Sequence, residues 1–183
     1  MKGIIMDNQQ LTQTSLAWLA GVWESEGHFS VRRSLQKHNE NRPQYSPRIG
    51  LTNTNTLLLG EARRILDILG IEYYFREKGH GGFDGSTKQC WVIEICTMVN
   101  SVRLIAAIYP YLISKRFQAE SIMEFCQRRL KVVDRRKNNN DKRRYTPEEF
   151  ELVIGILKAN GDCRGSSETW RQDAQRAMIQ SNH

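Results

Sequence analysis

Between Thr14 and Ser25 the apolar residues Leu16, Leu19, Ala20 and Trp23 recur at helical spacing, which predicts a helix. From His28 to Gln36 the period changes to two. Phe29, Val31, Arg33 and Leu35 share one face, and Ser30, Arg32, Ser34 and Gln36 share the other. That is the pattern of a half-buried strand, with Arg33 as its blemish. Lys37 to Tyr45 is polar, contains Pro43 and reads as a loop. Alternation resumes from Ser46 to Asn53, with Ile49 and Leu51 inward and Arg48 and Gly50 outward. A second helix is predicted from Asn55 to Leu69, striped by Leu58, Ala62, Ile65, Leu66 and Leu69 and stopped by Gly70.

Glu72 to Lys78 reads as a strand that sets Tyr73 and Phe75 against Tyr74, Arg76 and Lys78. A Gly-rich loop, Gly79 to Lys88, leads to a strand from Gln89 to Cys96 whose pattern leaves the buried face open. Ser101 to Tyr109 is helical and ends at Pro110. Phe117 to Val133 is helical, with Ala119, Ile122, Met123, Cys126, Leu130 and Val133 on one stripe. Thr146-Pro147-Glu148-Glu149 is a strong helix start, an N-cap Thr followed by Pro at N1 and Glu at N3. That helix turns Phe150, Val153, Ile154 and Leu157 inward and ends at Asn160-Gly161, and Ser167 to Gln180 is expected to form a last short helix. The element order is α-β-β-α-β-β-α followed by further helices, an α+β fold. We expect a single domain over 1–183, with the αββαββα core at 13–130 and a basic loop and helical extension at 131–183.

Composition narrows the picture. The chain has 183 residues, 39% of them apolar and 26% charged, enough to bury a core and too apolar for disorder throughout. No run of roughly 18 apolar residues offers a membrane span. Met1 to Gln10 has no apolar signal core, so an intracellular protein is expected. Cys90, Cys96, Cys126 and Cys163 form no C-x-x-C pair; they read as reduced thiols, three of them in the core, without structural zinc. Charge is concentrated. Arg128, Arg129, Lys131, Arg135, Arg136, Lys137, Lys142, Arg143 and Arg144 are opposed locally only by Asp134 and Asp141, which accounts for the whole formal charge of +7. A basic run beside a neutral domain points to a polyanion, although a solvated loop has the same composition.

Leu19-Ala20-Gly21-Val22-Trp23-Glu24-Ser25-Glu26-Gly27 is the most informative stretch. Ala17, Ala20 and Gly21 strip one helix face of bulk. Gly in a helix interior costs about 1 kcal/mol relative to Ala, and close approach of a second helix would offset that. Glu24 and Glu26 stand at the end of the helix where the macrodipole disfavours acids, unless a cation sits there. The plainer alternative is a buried helix with a small-residue contact and two solvated acids. A divalent cation on phosphate needs more than one protein oxygen, and a two-fold dimer of this helix would bring two Glu26 side chains together.

These nine residues resemble the LAGLIDADG motif, with Glu in place of each Asp and Trp23 at the second apolar position. The αββαββα order is similar to that family's core, and the resemblance spans about Gln13 to Leu130. One motif resembles the single-motif, homodimeric branch. Pro110-Tyr111-Leu112-Ile113-Ser114-Lys115 followed by Gln118-Ala119 is similar to the family's Pro-x-Leu-x-x-Lys…Gln-Ala stretch. The resemblance implies a site-specific homing endonuclease, usually intron- or intein-encoded, that acts as a homodimer on double-stranded DNA. It would hydrolyse both strands across the minor groove and leave short 3′ overhangs.

The implied cofactor is Mg²⁺, with Mn²⁺ or Ca²⁺ able to substitute in binding, held by Glu26 and the Ser25 carbonyl. Lys115 would offset charge on the phosphate, and Asn53 would position the water. The basic residue that relatives carry early in the second helix falls at Leu57 and has no match. A four-stranded antiparallel sheet backed by helices would form a DNA-binding saddle, reading the major groove through Ser30, Arg32, Ser34, Gln36, Ser46, Arg48, Tyr74, Arg76 and Lys78. Arg164 and Ser166 would grip the backbone, and Ala17, Ala20 and Gly21 would form the dimer interface. Two half-sites predict a pseudo-palindrome of roughly 20 base pairs. The compartment would be cytoplasmic or organellar, following the host genome. The rival readings are an RNA maturase or a non-cleaving regulator on the same scaffold, and a structural RNA-binding protein.

Overall fold

The computed structural model describes residues 11–36, 39–78, 89–135, 145–161 and 172, with backbone alone at 35–36, 39–43 and 133–135. In chain order these form α1 (Gln13–Ser25), β1 (Gly27–Gln36), β2 (Asn39–Asn53), α2 (Thr56–Ile68), β3 (Tyr74–Lys78), β4 (Cys90–Ile95), α3 (Met98–Ile108), a single 3-10 turn at Tyr109–Tyr111, α4 (Arg116–Arg135) and α5 (Pro147–Ala159). The strands make one antiparallel sheet in the order β1-β2-β4-β3. The α+β class and the αββαββα order therefore hold, with α5 added beyond the core. The expected helix over Ser167 to Gln180 apart from Gln172, the Met1 to Gln10 segment and Cys163 lie outside the described residues, as does most of the basic run.

Local chemistry sets the helix ends. Thr12, Asn55 and Thr97 each cap a helix by accepting backbone N–H bonds, and Thr146 with Glu149 completes the capping box read from the sequence. Gly70 and Gly161 take positive φ, 63° and 71°, after α2 and α5, the left-handed geometry that favours glycine.

One expectation fails at the β1–β2 hairpin. The loop foreseen over Lys37 to Tyr45 is mostly strand, since β2 begins at Asn39 and pairs with β1. The polar sequence concealed it because hairpin pairing, not an apolar face, holds this ribbon together. Pro47 is tolerated because it pairs with Val31 in the part of β2 that β4 does not reach; β2–β4 pairing starts at Ile49.

The helices pack on one sheet face. Trp23, Phe29, Ile49, Leu51, Leu59, Ile65, Leu66, Ile93, Ile95 and Phe125 are almost wholly buried there, each apolar side chain contributing about 1.5–3 kcal/mol. Three stripes are rotated slightly from the sequence reading. In α2 Leu59 is buried and Leu58 and Leu69 only half so. In α4 Phe125 replaces Met123, and in α5 Ile156 replaces Ile154. The open question of β4 is resolved. Trp91, Ile93 and Ile95 join the core, leaving Cys90, Val92 and Glu94 for the outer face. Of the three described cysteines only Cys126 is therefore a core residue, its thiol pushed up to about 12 by burial, while Cys90 and Cys96 are half-buried.

Candidate functional site

The two acids at the end of α1 separate into different roles. The Glu24 carboxylate accepts the backbone N–H groups of Ile113 (2.8 Å), Ser114 (3.0 Å) and Lys115 (3.1 Å), together with the Ser114 hydroxyl. These donors lead into α4, so an acid unfavourable for its own helix is favourable for the next one. Partial burial works against its charge, but the Ser114 hydroxyl and the three backbone bonds outweigh it and hold the carboxyl below its ordinary pKa. Glu26, the C-cap, is exposed, and its carboxylate has no hydrogen-bond or ion-pair partner among the described residues.

Lys115 supplies the cation that the helix end calls for. Its ammonium donates to the carbonyls of Trp23 (3.0 Å) and Gly27 (2.6 Å), at the negative pole of α1. Desolvation lowers its pKa, opposed by the nearby Glu24 and Glu26. Two of its three donors are committed, which leaves one for an anion. Ser25 turns its hydroxyl back to Gly21 O (3.1 Å) and Val22 O (3.2 Å). Gly27 is demanded by the Trp23 ring, which a Cβ there would strike. The bulky departure from the motif at Trp23 and the glycine that closes the motif are thus one packing unit.

Asn53 ends β2. Gly27 pairs with Leu51, so the register carries Asn53 to the same end of the sheet as Glu26. Its Oδ1 accepts the Asn55 N–H at 2.8 Å, leaving the amide N–H₂ as the free end. Leu57, where a basic residue was sought, is 85% exposed. Among the described residues no group of three or more His, Cys, Asp or Glu gathers.

Sequence reasoning took His28 as the start of a strand, with support of the implied metal site as the lesser alternative. Its ring lies across Gly50, its partner on β2, where a Cβ would overlap it. Burial chiefly, then Arg48, with Lys115 and Lys78 and against Glu94, lowers its pKa, which keeps the ring neutral near pH 7. His28, Ser30, Arg48, Lys115, Gln118 and Asn160 line a cleft of about 370 Å³ at the edge strand β1. Asn160 closes one wall by donating to Phe29 O at 2.8 Å.

The residues expected on the outer sheet face are brought together. Arg32 pairs with Ser46 and Ser30 with Arg48 across β1 and β2. Tyr74 (64% exposed), Arg76 and Lys78 line β3. Ser30 and Ser34 spend their hydroxyl protons on Arg48 O (3.0 Å) and Gln44 O (3.4 Å), so they remain as acceptors. The Gln36 side chain, Arg164 and Ser166 lie outside the described residues. The sequence reading missed Glu94, a nearly buried acid among these arginines. Its signal was a lone charge inside the apolar run from Trp91 to Ile95.

Of the small residues expected at an interface, Ala17 and Gly21 lie open, and a Cβ added to Gly21 meets nothing within 4 Å. Ala20 does not join them; it is 0% exposed, turned into the chain's own core.

This fold, with one motif helix ending at the sheet, is that of the LAGLIDADG homing endonucleases. The chain belongs to the LAGLIDADG-like domain family, whose model matches residues 13–109. The archaeal intron-encoded homing endonuclease I-Vdi141I, solved in complex with DNA, is 19% identical with a TM-score of 0.64, over 91% of this chain and 98% of that one. I-CvuI, solved with its target in the presence of Ca, is 18% identical with a TM-score of 0.59, over 90% and 95%. The group I intron-encoded I-CeuI, complexed with DNA, is 13% identical with a TM-score of 0.59, over 86% and 73%. No curated protein matches the sequence significantly. Among the described residues, no helix is long and apolar enough to cross a membrane.

Proposed function

We propose that this protein is a site-specific DNA endonuclease of the homing type, acting as a homodimer on a long pseudo-palindromic site and leaving short 3′ overhangs. One observation carries the reading. At the end of α1 an unengaged carboxylate, Glu26, stands beside an ammonium, Lys115, that keeps a donor in reserve, where the motif helix meets the sheet. Glu26 and the Ser25 carbonyl are hard oxygen donors that suit Mg²⁺, and two copies would bring two Glu26 carboxylates to it. When bound, the metal supplies Lewis acidity toward the phosphate and a lowered pKa for water.

The remaining work belongs to the chain. Lys115, fixed by two carbonyls, offers its third N–H to a phosphate oxygen as charge accumulates. Asn53, its own oxygen occupied, donates its free amide to the oxygen of the attacking water. The outer face reads base edges through Arg32, Arg48, Arg76 and Lys78, while Ser30 and Ser34 accept from base amino groups. The basic segment after α4 adds salt-sensitive phosphate contacts.

The test is cleavage of a plasmid that carries the uninterrupted version of the gene hosting this reading frame, with Mg²⁺ and with EDTA. We expect one Mg²⁺-dependent double-strand cut, lost in Glu26→Gln while DNA binding persists. Tight binding with no cut by the wild type would refute the nuclease and favour a regulator or maturase on the same scaffold.

A further inference from the structure

Glu94 is the one acid among the side chains that β4 turns to the outer face, and it is 9% exposed. Opposite it in register stand Gly50 on one side and Tyr74 on the other. Gly50 has no side chain to screen it, so arginines from two neighbouring strands reach it. Arg48 of β2 donates its Nε to Oε1, and Arg76 of β3 sets a terminal nitrogen 3.8 Å from Oε2. Both arginines stay open, their side chains 41% and 54% exposed against 11% for Glu94.

We propose that Glu94 is a positioning residue for base reading, holding Arg48 and Arg76 so that their free guanidinium edges face guanine. The inference rests on the DNA-binding reading above and deepens it. Arg48 spends Nε on Glu94, so its two terminal nitrogens remain as a parallel pair of donors. That pair matches the O6 and N7 acceptors of guanine. An arginine free to swing would meet the phosphates of any sequence equally well, and phosphate contacts carry no sequence information. Glu94 restricts the swing and also cancels one of the two positive charges, which weakens attraction to DNA at large. Affinity is exchanged for selectivity at two base positions per half-site.

The experiment selects bound duplexes from a random-sequence pool, in Ca²⁺, with wild type, Arg48→Ala, Arg76→Ala, Glu94→Gln and Glu94→Asp. Each arginine variant identifies its own base position by losing the guanine preference there, about tenfold or more. Glu94→Gln is expected to lower the guanine preference at those same two positions several-fold, while binding to random DNA holds or tightens. Glu94→Asp keeps the charge but shortens the reach, and is expected to do likewise. Thermal melts show which variants are folded, and the isosteric Gln is the one expected to melt with wild type. Unchanged preferences in both Glu94 variants would overturn the proposal. So would a new preference at a third position, which would mean that Glu94 reads a base itself. A wild type that selects no sequence would refute the DNA reading and this inference with it.

Discussion

The division of labour between Glu24 and Glu26 predicts opposite effects of two substitutions only two residues apart. Glu24→Ala removes the acceptor of three backbone N–H groups and one hydroxyl at the entry to α4. Loss of a helix cap costs about 0.5–2 kcal/mol. Loss of an acid at a helix N-terminus adds about 0.3–1 kcal/mol. Water re-solvates these exposed donors, so the sum stays near 2 kcal/mol and does not reach the full value of four charged hydrogen bonds. For a chain of this size that lowers Tm by roughly 4–8 °C. Glu26→Gln removes an unpartnered acid from the negative pole of α1 and is expected to leave Tm unchanged or to raise it slightly, by about 0.3 kcal/mol. Cleavage should show the reverse contrast, with Glu26→Gln inactive although fully folded.

The assay is thermal and urea unfolding at one fixed protein concentration, since the proposed self-association would contribute to apparent stability. The sign of the pH dependence follows from the depressed Glu24 carboxyl. Its stabilisation is present above the unfolded pKa of about 4.3 and is lost as pH falls through the lower folded value. The gap between wild type and Glu24→Gln should therefore close in acid. Equal melting of Glu24→Ala and wild type, or a loss in Glu26→Gln as large as in Glu24→Ala, would refute the reasoning.

Other expectations follow from single contacts. Arg129 and Glu149 pair at 3.5 Å with side chains 7% and 1% exposed, beside the Tyr145 ring; Glu149→Ala should cost about 3–5 kcal/mol in urea unfolding. The double variant Arg129→Met/Glu149→Leu should cost at least about 1 kcal/mol less than the sum of its singles. Gly50→Ala must displace the His28 ring and should cost about 1 kcal/mol, a cost that vanishes in a His28→Ala background. Gly21→Leu has open space within its own chain, so circular dichroism should show it folded, while sedimentation should show loss of the proposed homodimer.

Where the apolar period was regular, the elements could be read: α1, α2, α4 and α5 lie within a few residues of their expected spans. The capping box at Thr146 was legible because its chemistry is local. β4 was read as a strand, but its buried face was not legible, because both its faces are covered. Its inner face is core, and Val92 and Glu94 are shielded on the outer one, so no alternation survived in the burial pattern. The strand before Ser46 was hidden for the opposite reason, since its polar residues owe their conformation to a partner strand. In the site, roles for Glu26 and Lys115 were implied only by the resemblance of two stretches to the family's, and spacing alone did not give them. The role of Glu24 was invisible because its partners lie about ninety residues away, in the turn before α4. Ala20 was misplaced because small size alone cannot say which side of a helix faces its own core.

The geometry of α1 also argues for a second copy. A glycine inside a helix costs about 1 kcal/mol relative to alanine, and in this chain that cost at Gly21 is offset by no close contact. Gly27 and Gly50 are different, since each makes room for a ring of its own chain. The open Gly21 lies beside exposed Ala17 and Trp18, on the side of α1 turned away from the core. The same helix ends in a carboxylate that, among the described residues, has no hydrogen-bond or ion-pair partner and joins no group of three or more His, Cys, Asp or Glu. A second α1 crossing at Gly21 answers both facts at once: it gives the small face a surface to pack on, and it adds a second Glu26 at the helix end. The proposed homodimer would meet both needs with one partner, so a variant that abolishes association should abolish cleavage even with every residue named in the chemistry intact.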